Sequence, residues 1–319
     1  MPGSRYLLLI AALIVLAAFS GGCTEWQVVE PEVSEPDSPE PGADLTDQEN
    51  RVFGEVSETA AELTGEIEIE GLGNYSFDPQ EVQTVRDDLF RDNYFSIFDV
   101  LVYLKQSGQV DIEYDFNEEM NTYVISSLNG YDDWWYDAYY DGGWRERSVF
   151  RMDHYPYKDK MSLKIIRVSE EYLDSVYAVY RDEVNRLDEN NNRVVVPEVI
   201  IEGKNETLTF KDVEVKAHNL RDDMLQPGVV TAIDTILSLA EEGKISYDLQ
   251  WYESIGTAGT VKSYWVDRIN EDVSEGRCGF VYEAGDEEFF FFRGNHNHIP
   301  SDIRIINSPQ YVKYFWICI

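Results

Sequence analysis

The densest concentration of side chains able to do chemistry runs from Tyr131 to Trp144. There Tyr131, Trp134, Trp135, Tyr136, Tyr139, Tyr140 and Trp144 are interleaved with Asp132, Asp133, Asp137 and Asp141. Aromatic faces beside carboxylates suit stacking on sugar or corrin rings, the acids accepting hydrogen bonds from hydroxyls or amides. Trp134, Trp135, Tyr139, Tyr140 and Trp144 are the candidate ligand-binding residues. A strand here sends Trp135, Asp137, Tyr139 and Asp141 to one face and Trp134, Tyr136, Ala138 and Tyr140 to the other. If only one face is buried, several rings stay exposed. The competing explanation is that the rings are packing elements of a sheet.

Other constellations are weaker. Asn295-His296-Asn297-His298 sets two imidazoles on one side of an extended segment, but no third ligand stands at a defined spacing, and a polar loop explains it as well. The acids at Asp132, Asp133, Asp137 and Asp141 lack the alternating acids, sixth-position glycine and terminal glutamate of a calcium loop. No metal site is expected. The chain has no Gly-x-Ser-x-Gly elbow, no His-Glu-x-x-His, no P-loop and no dinucleotide fingerprint, which argues against an enzyme. With 61 acidic residues, carboxylate pairs can be found anywhere and discriminate nothing.

The net charge of −35 excludes nucleic acid as a partner, because phosphate binding needs clustered Lys and Arg. Such acidity fits either a high-salt environment, where screening removes the mutual repulsion, or simply an acidic surface protein.

Cys23 carries a different chemistry. Arg5, an apolar run from Tyr6 to Phe19 and Ser20-Gly21-Gly22 precede it, the parts of a cleavable secretory signal, and the run is short for a membrane span. Ser-Gly-Gly-Cys resembles the lipobox of bacterial and archaeal lipoproteins, with Ser20 where leucine is usual. Cleavage after residue 22 leaves the Cys23 thiol to carry a thioether-linked lipid. Residues 23–52, rich in Pro, Glu, Asp and Ser, cannot bury enough apolar surface to order themselves and read as a stalk. An extracytoplasmic protein held on the outer face of the membrane is expected. Cys278 and Cys318 then remain as an even pair in an exported chain, either bridged or two buried thiols. The sequons at Asn74 and Asn205 are candidate glycosylation sites.

The elements that must position these groups are set by an internal repeat. Glu66-Ile-Glu-Ile-Glu-Gly71 recurs as Glu198-Val-Ile-Ile-Glu-Gly203, and Arg86-Asp-Asp88 as Arg221-Asp-Asp223. Phe98-Asp99 answers to Ile233-Asp234, Val110 to Ile245 and Tyr123-Val-Ile125 to Tyr264-Trp-Val266. His154-Tyr-Pro156 then matches His298-Ile-Pro300, and Leu163-Lys-Ile-Ile166 matches Ile303-Arg-Ile-Ile306. The order is kept while the spacing stays between about 131 and 144 residues. Each copy (53–187 and 188–319) reads as an initial strand, a loop, one amphipathic helix stopped by Gly108 or Gly243, and further strands. One helix against one small mixed sheet is an α+β class with two tandem units. The stretch Glu170 to Leu187 is open between helix and strand; the Asn190-Asn191-Asn192 run favours a hairpin.

The helix Ile233-Asp234-Thr-Ile236-Leu237, the following Gly243 and the aromatic Trp135-Tyr-Asp-Ala-Tyr139 resemble the transcobalamin C-terminal-like domain family (domain of unknown function 4430). The resemblance covers about Glu66 to Val168 and Glu198 to Ile319. It implies β-grasp-like units on an exported protein and makes cobalamin a conceivable ligand, although the large helical domain of the cobalamin carriers is absent and no ligand contact transfers. The expectation is a surface lipoprotein acting as a non-enzymatic binding or interaction module, for a small molecule, a glycan or another surface protein. Capture of a corrinoid or carbohydrate for uptake is the alternative, and an extracellular hydrolase using Asp137 is a third reading.

Overall fold

Near the start of each of two short helices an aspartate accepts the backbone N–H of the hydroxyl residue three positions earlier, Ser96 in one and Thr231 in the other. In the computed structural model, the Asp99 carboxylate accepts from the Ser96 backbone N–H at 2.6 Å, while Asp99 N–H donates back to the Ser96 hydroxyl, closing a reciprocal cap on α1 (Ile97–Gln106). Thr231 N–H donates to Asp234 at 2.7 Å at the start of α3 (Asp234–Glu241). Gly108 and Gly243 stop them with φ of 72° and 71°, the left-handed conformation that glycine adopts without a Cβ clash.

The structure describes residues 64–139, 146–147, 150–254, 261–286 and 299–318. All belong to the unit Glu58–Ile319; Cys23 and the 23–52 stalk lie outside the described residues. In the first half, β1 (Gly65–Ile69) pairs antiparallel with β2 (Gly73–Phe77) and parallel with β7 (Ser162–Arg167). β7 pairs antiparallel with β5 (Trp134–Tyr139), which carries β6 (Glu146–Arg147) at the edge. The second half repeats this as β9-β8-β14-β13, from β8 (Val194–Glu202), β9 (Thr207–Val215), β13 (Cys278–Gly285) and β14 (Tyr311–Cys318), again with the parallel pair in the middle. Beside each sheet stands a smaller one: β3 (Ile112–Asn117) with β4 (Thr122–Leu128), and β10 (Tyr247–Tyr252) with β11 (Ser263–Ile269) and the short β12 (Asp272–Val273). Sheets and helices segregate as in an α+β fold.

The expected hairpin at Glu170–Leu187 is a helix, α2 (Glu170–Glu189). Ser169 caps Tyr172 N–H, Glu170 and Glu171 occupy the positive end, and Tyr172, Leu173, Val176, Tyr180 and Glu183 form the buried face. The asparagine run is its stop rather than a strand turn: Asn191 and Asn192 take φ of 57° and 59°, which asparagine tolerates.

That helix also overturns the exposure expected of the aromatic strand. Trp134 and Trp135 are 3% and 4% exposed, and Tyr136 is fully buried. Tyr136 packs on Tyr155 on one side of the sheet, while Trp135 meets Tyr172, Tyr177 and Tyr180 of α2 on the other. β5 is thus covered on both faces, whereas reading α2 as a hairpin left one face without a layer to cover it.

The last two sequence matches of the repeat are corrected as well. Ser96 bridges to Pro156 and Thr231 to Ile305, so the counterpart of Pro156 is Ile305, 149 residues on, not Pro300. Likewise Leu163 and Ile165 of β7 pair with Ile67 and Ile69 as Val312 and Tyr314 of β14 pair with Val199 and Ile201. Ile303–Ile306 lies in the connection before β14. Cys278 and Cys318 stand opposite each other on β13 and β14 and are joined as a disulfide. Closing a 40-residue separation contributes about 4 kcal/mol in the chain-entropy account.

A buried ion pair is duplicated with the fold. Arg86 grips Asp88 through Nε and Nη2, both at 2.7 Å, and reaches the fully buried Asp153 with Nη1 at 2.6 Å. Arg221 grips Asp223 in the same fork and reaches the fully buried Asp302 at 3.1 Å. Each inner carboxylate also accepts a strand N–H, from Tyr123 or Tyr264. Arg86→Met leaves Asp153 buried without its counter-charge, and a loss of about 3–5 kcal/mol is expected in urea unfolding. A loss under about 1 kcal/mol would show that the pair is not holding the first half together.

Candidate ligand-binding cleft

Leu89–Arg91 and Met224–Gln226 join the halves by a reciprocal exchange. Arg91 N–H donates to Met224 O at 3.0 Å, and Gln226 N–H donates to Leu89 O at 2.9 Å, around the Phe90–Leu225 bridge. The side chains repeat it: Arg91 Nε donates to Leu225 O and Gln226 Nε2 to Phe90 O. These residues are equivalent at a spacing of 135, so the contact has the pattern of an isologous, twofold interface.

The symmetry is broken around it. On one side α2 bridges the halves, with Arg186 Nε donating to Ser308 O at 2.7 Å and Arg181 reaching the Met120 sulfur at 3.7 Å. The repeat counterparts of Ser308 and Met120 are Asp159 and Val261. On that other side the described residues place no helix, and a cleft of about 800 Å³ opens.

Both walls of the cleft are aromatic. From the first half come Tyr94, Phe95 and Tyr157, with Phe95 and Tyr157 stacked at 5.0 Å and Tyr157 edge-on to Phe77. Burial and the nearby Asp159 push the Tyr157 phenol up to about 12, so it stays a neutral donor. Across from them are Met224, Ile303 and Trp251, a residue 37% exposed. Trp251 is held by Nε1 donating to Glu253 at 2.8 Å, by the Tyr264 ring at 4.9 Å and by the Arg221 guanidinium at 5.4 Å. The charged groups are Lys158, Lys262, Arg221, Asp159 and Asp223, with Gln80 and Asn93 as neutral polar neighbours. Lys158 Nζ donates to Val261 O at 2.5 Å.

The residues expected from sequence lie elsewhere. Trp134 and Trp135 are core, Trp134 donating to Tyr131 O, and Tyr139 is part-exposed at the end of β5. Tyr140, Trp144, His296 and His298 are outside the described residues. Asn74 and Asn205 are both exposed, but the Asn205 amide donates to Asp272, so glycosylation there requires breaking that bond. Among the described residues no group of three or more His, Cys, Asp or Glu could hold a metal ion, and no helix is long and apolar enough to cross a membrane. Trp251, Tyr157, Lys158 and Lys262 were missed. The signal for Trp251 was its repeat counterpart Phe116, also part-exposed and set over Arg86 at 5.4 Å.

Compared with known proteins, the chain matches no family model, no curated protein and no solved structure. The likeness to the transcobalamin-like family rests on the residues quoted for it.

Burial lowers the Lys158 ammonium to about 8, with Arg221 and Lys262 acting in the same direction and Asp302 and Asp159 opposing. Between that value and the ordinary lysine value near 10.4, the unfolded chain holds a proton that the folded chain has released, so stability rises with pH. Against Lys158→Met, the unaltered chain is expected to gain on the order of 2 kcal/mol between pH ~8 and ~9.5 in denaturant unfolding. Parallel curves would show that the Lys158 ammonium is not desolvated.

Proposed function

We propose that this chain is a non-enzymatic binding module that takes a small ligand in the cleft between its two halves. Cys23 lipid and the acidic 23–52 stalk hold it on the outer face of the membrane. The observation that carries the reading is the cleft itself, a concavity of ligand size with aromatic walls from both halves and a few charged groups at its base. Its walls are held by the reciprocal Leu89–Arg91 and Met224–Gln226 contact, so the site is preformed and binding costs little reordering. The same reading accounts for the duplication, since two copies around a pseudo-twofold make a recess that neither makes alone.

Cobalamin, which the family resemblance implies, would have to enter the same cleft. A shift in its visible absorbance on addition of the full chain, lost in Trp251→Ala, is the result that would favour a corrinoid. For the general reading, ligand-observed NMR with a set of ring-bearing fragments is the test. Binding that falls at least about tenfold in Trp251→Ala, and is kept in Tyr139→Ala, is expected. The opposite pattern would move the site to the β5 end, and binding indifferent to both would sink the cleft. Export is tested separately: Cys23→Ala is expected to move the protein from the membrane fraction to the medium.

A further inference from the structure

The charge balance of the cleft departs from that of the chain. Acidic residues outnumber basic ones 61 to 26, yet Lys158, Lys262 and Arg221 converge on one recess. Arg221 is matched by Asp223 and Asp302. Lys262 is exposed, held in a left-handed turn at φ 45°, and forms no ion pair with a described residue. Lys158 donates to the carbonyl of Val261, the residue next to Lys262, both lysines line the cleft, and the Lys262 charge acts on the Lys158 ammonium. Asp159, the remaining carboxylate of the lining, is exposed. Two ammonium groups sharing a recess repel each other, and an anion between them relieves that repulsion.

The ring-binding part is equally specific in placement. Trp251 is fixed at its nitrogen by Glu253 and at its edge by Tyr264, leaving indole surface toward the cleft. The Phe95–Tyr157 stack belongs to the opposite wall. A planar ring entering between them gains aromatic contact on both sides without ordering either wall.

We propose that the ligand is a planar ring compound bearing one acidic group, its ring lying between Trp251 and Tyr157 and its anion on Lys262 and Lys158. This rests on the cleft being the binding site. The acidic group can be a carboxylate, a sulfonate or a phosphate ester, since a pair of ammonium groups recognises charge rather than the fork geometry that arginine selects.

The test compares two probes with the same rings: 1-anilinonaphthalene-8-sulfonate, which is anionic, and N-phenyl-1-naphthylamine, which is neutral. Each is titrated into the full chain by fluorescence at about 0.15 M salt, where the Debye length of about 8 Å damps the repulsion from distant acidic residues while leaving ammonium groups in contact with the anion effective. The sulfonate is expected to bind once per chain and at least about tenfold more tightly than the neutral probe. Lys262→Gln should erase that preference with little effect on the neutral probe, and Trp251→Ala should weaken both. If both probes bind alike and Lys262→Gln changes neither, the cleft takes neutral rings and the anion assignment is wrong while the binding reading stands. Should neither probe respond to Trp251→Ala in a variant whose circular dichroism is unchanged, the cleft is not a binding site and both readings fall. A carboxylate and a phosphate ester of one ring, competed against the sulfonate, then separate the possible sources of the anion.

Discussion

Two arginines, Arg86 and Arg221, fix the relation between parts of the chain that are far apart in sequence. Each leaves its own Arg-Asp-Asp segment, passes under an aromatic ring of the neighbouring small sheet and ends on a carboxylate that is completely buried. Arg86 thereby ties the segment before α1 to the turn at Asp153, 67 residues later, and Arg221 ties its equivalent to Asp302, 81 residues later. Burial opposes ionisation of both carboxylates and raises their pKa, while the guanidinium and the strand N–H groups act against that rise. A buried charge of this kind tolerates few arrangements, because any that separates it from its partner leaves it unsolvated. That intolerance explains how two sheets of the same strand order can carry such different side chains, Trp134-Trp135-Tyr136 in one and Phe280-Val281-Tyr282 in the other.

The halves are related by a reciprocal contact, yet they are not used equally. α2 fastens to Ser308 and to Met120 and adds the buried Arg151–Glu183 pair on one side of the pseudo-twofold. On the other side, the corresponding positions border open space lined by Tyr157 and Trp251. A symmetric pair would have either two covered sides or two clefts. The helix after the first copy completes the core under Trp135 and covers one side of the pseudo-twofold, while among the described residues the other side stays open as the recess.

How much of this was readable depended on whether the signal was local. The strand at Glu66–Ile69, the helix with Ile97, Leu101 and Leu104, the glycine stops and the Arg-Asp-Asp repeat are all set by neighbours a few residues apart, and they stand where periodicity put them. α2 was misread because the Asn190–Asn192 run marks a left-handed stop as well as it marks a turn, and only the packing of Tyr172, Val176 and Tyr180 on the sheet decides between them. The matches of Pro300 and Ile303–Ile306 failed for a related reason: short apolar and proline-containing motifs recur by chance, and the ladder, not the motif, defines equivalence.

By itself the sequence determined the class of secondary structure, the duplication and the acidity, since each depends on residue type, spacing or count. The tertiary structure alone decided which aromatic residues are core and which face a cleft. Trp135 and Trp251 both belong to strands beside acidic residues; one is covered by α2 and the other faces the first half across a recess. Exposure is a property of what lies opposite a side chain, and for both residues the opposing surface comes from a distant part of the chain.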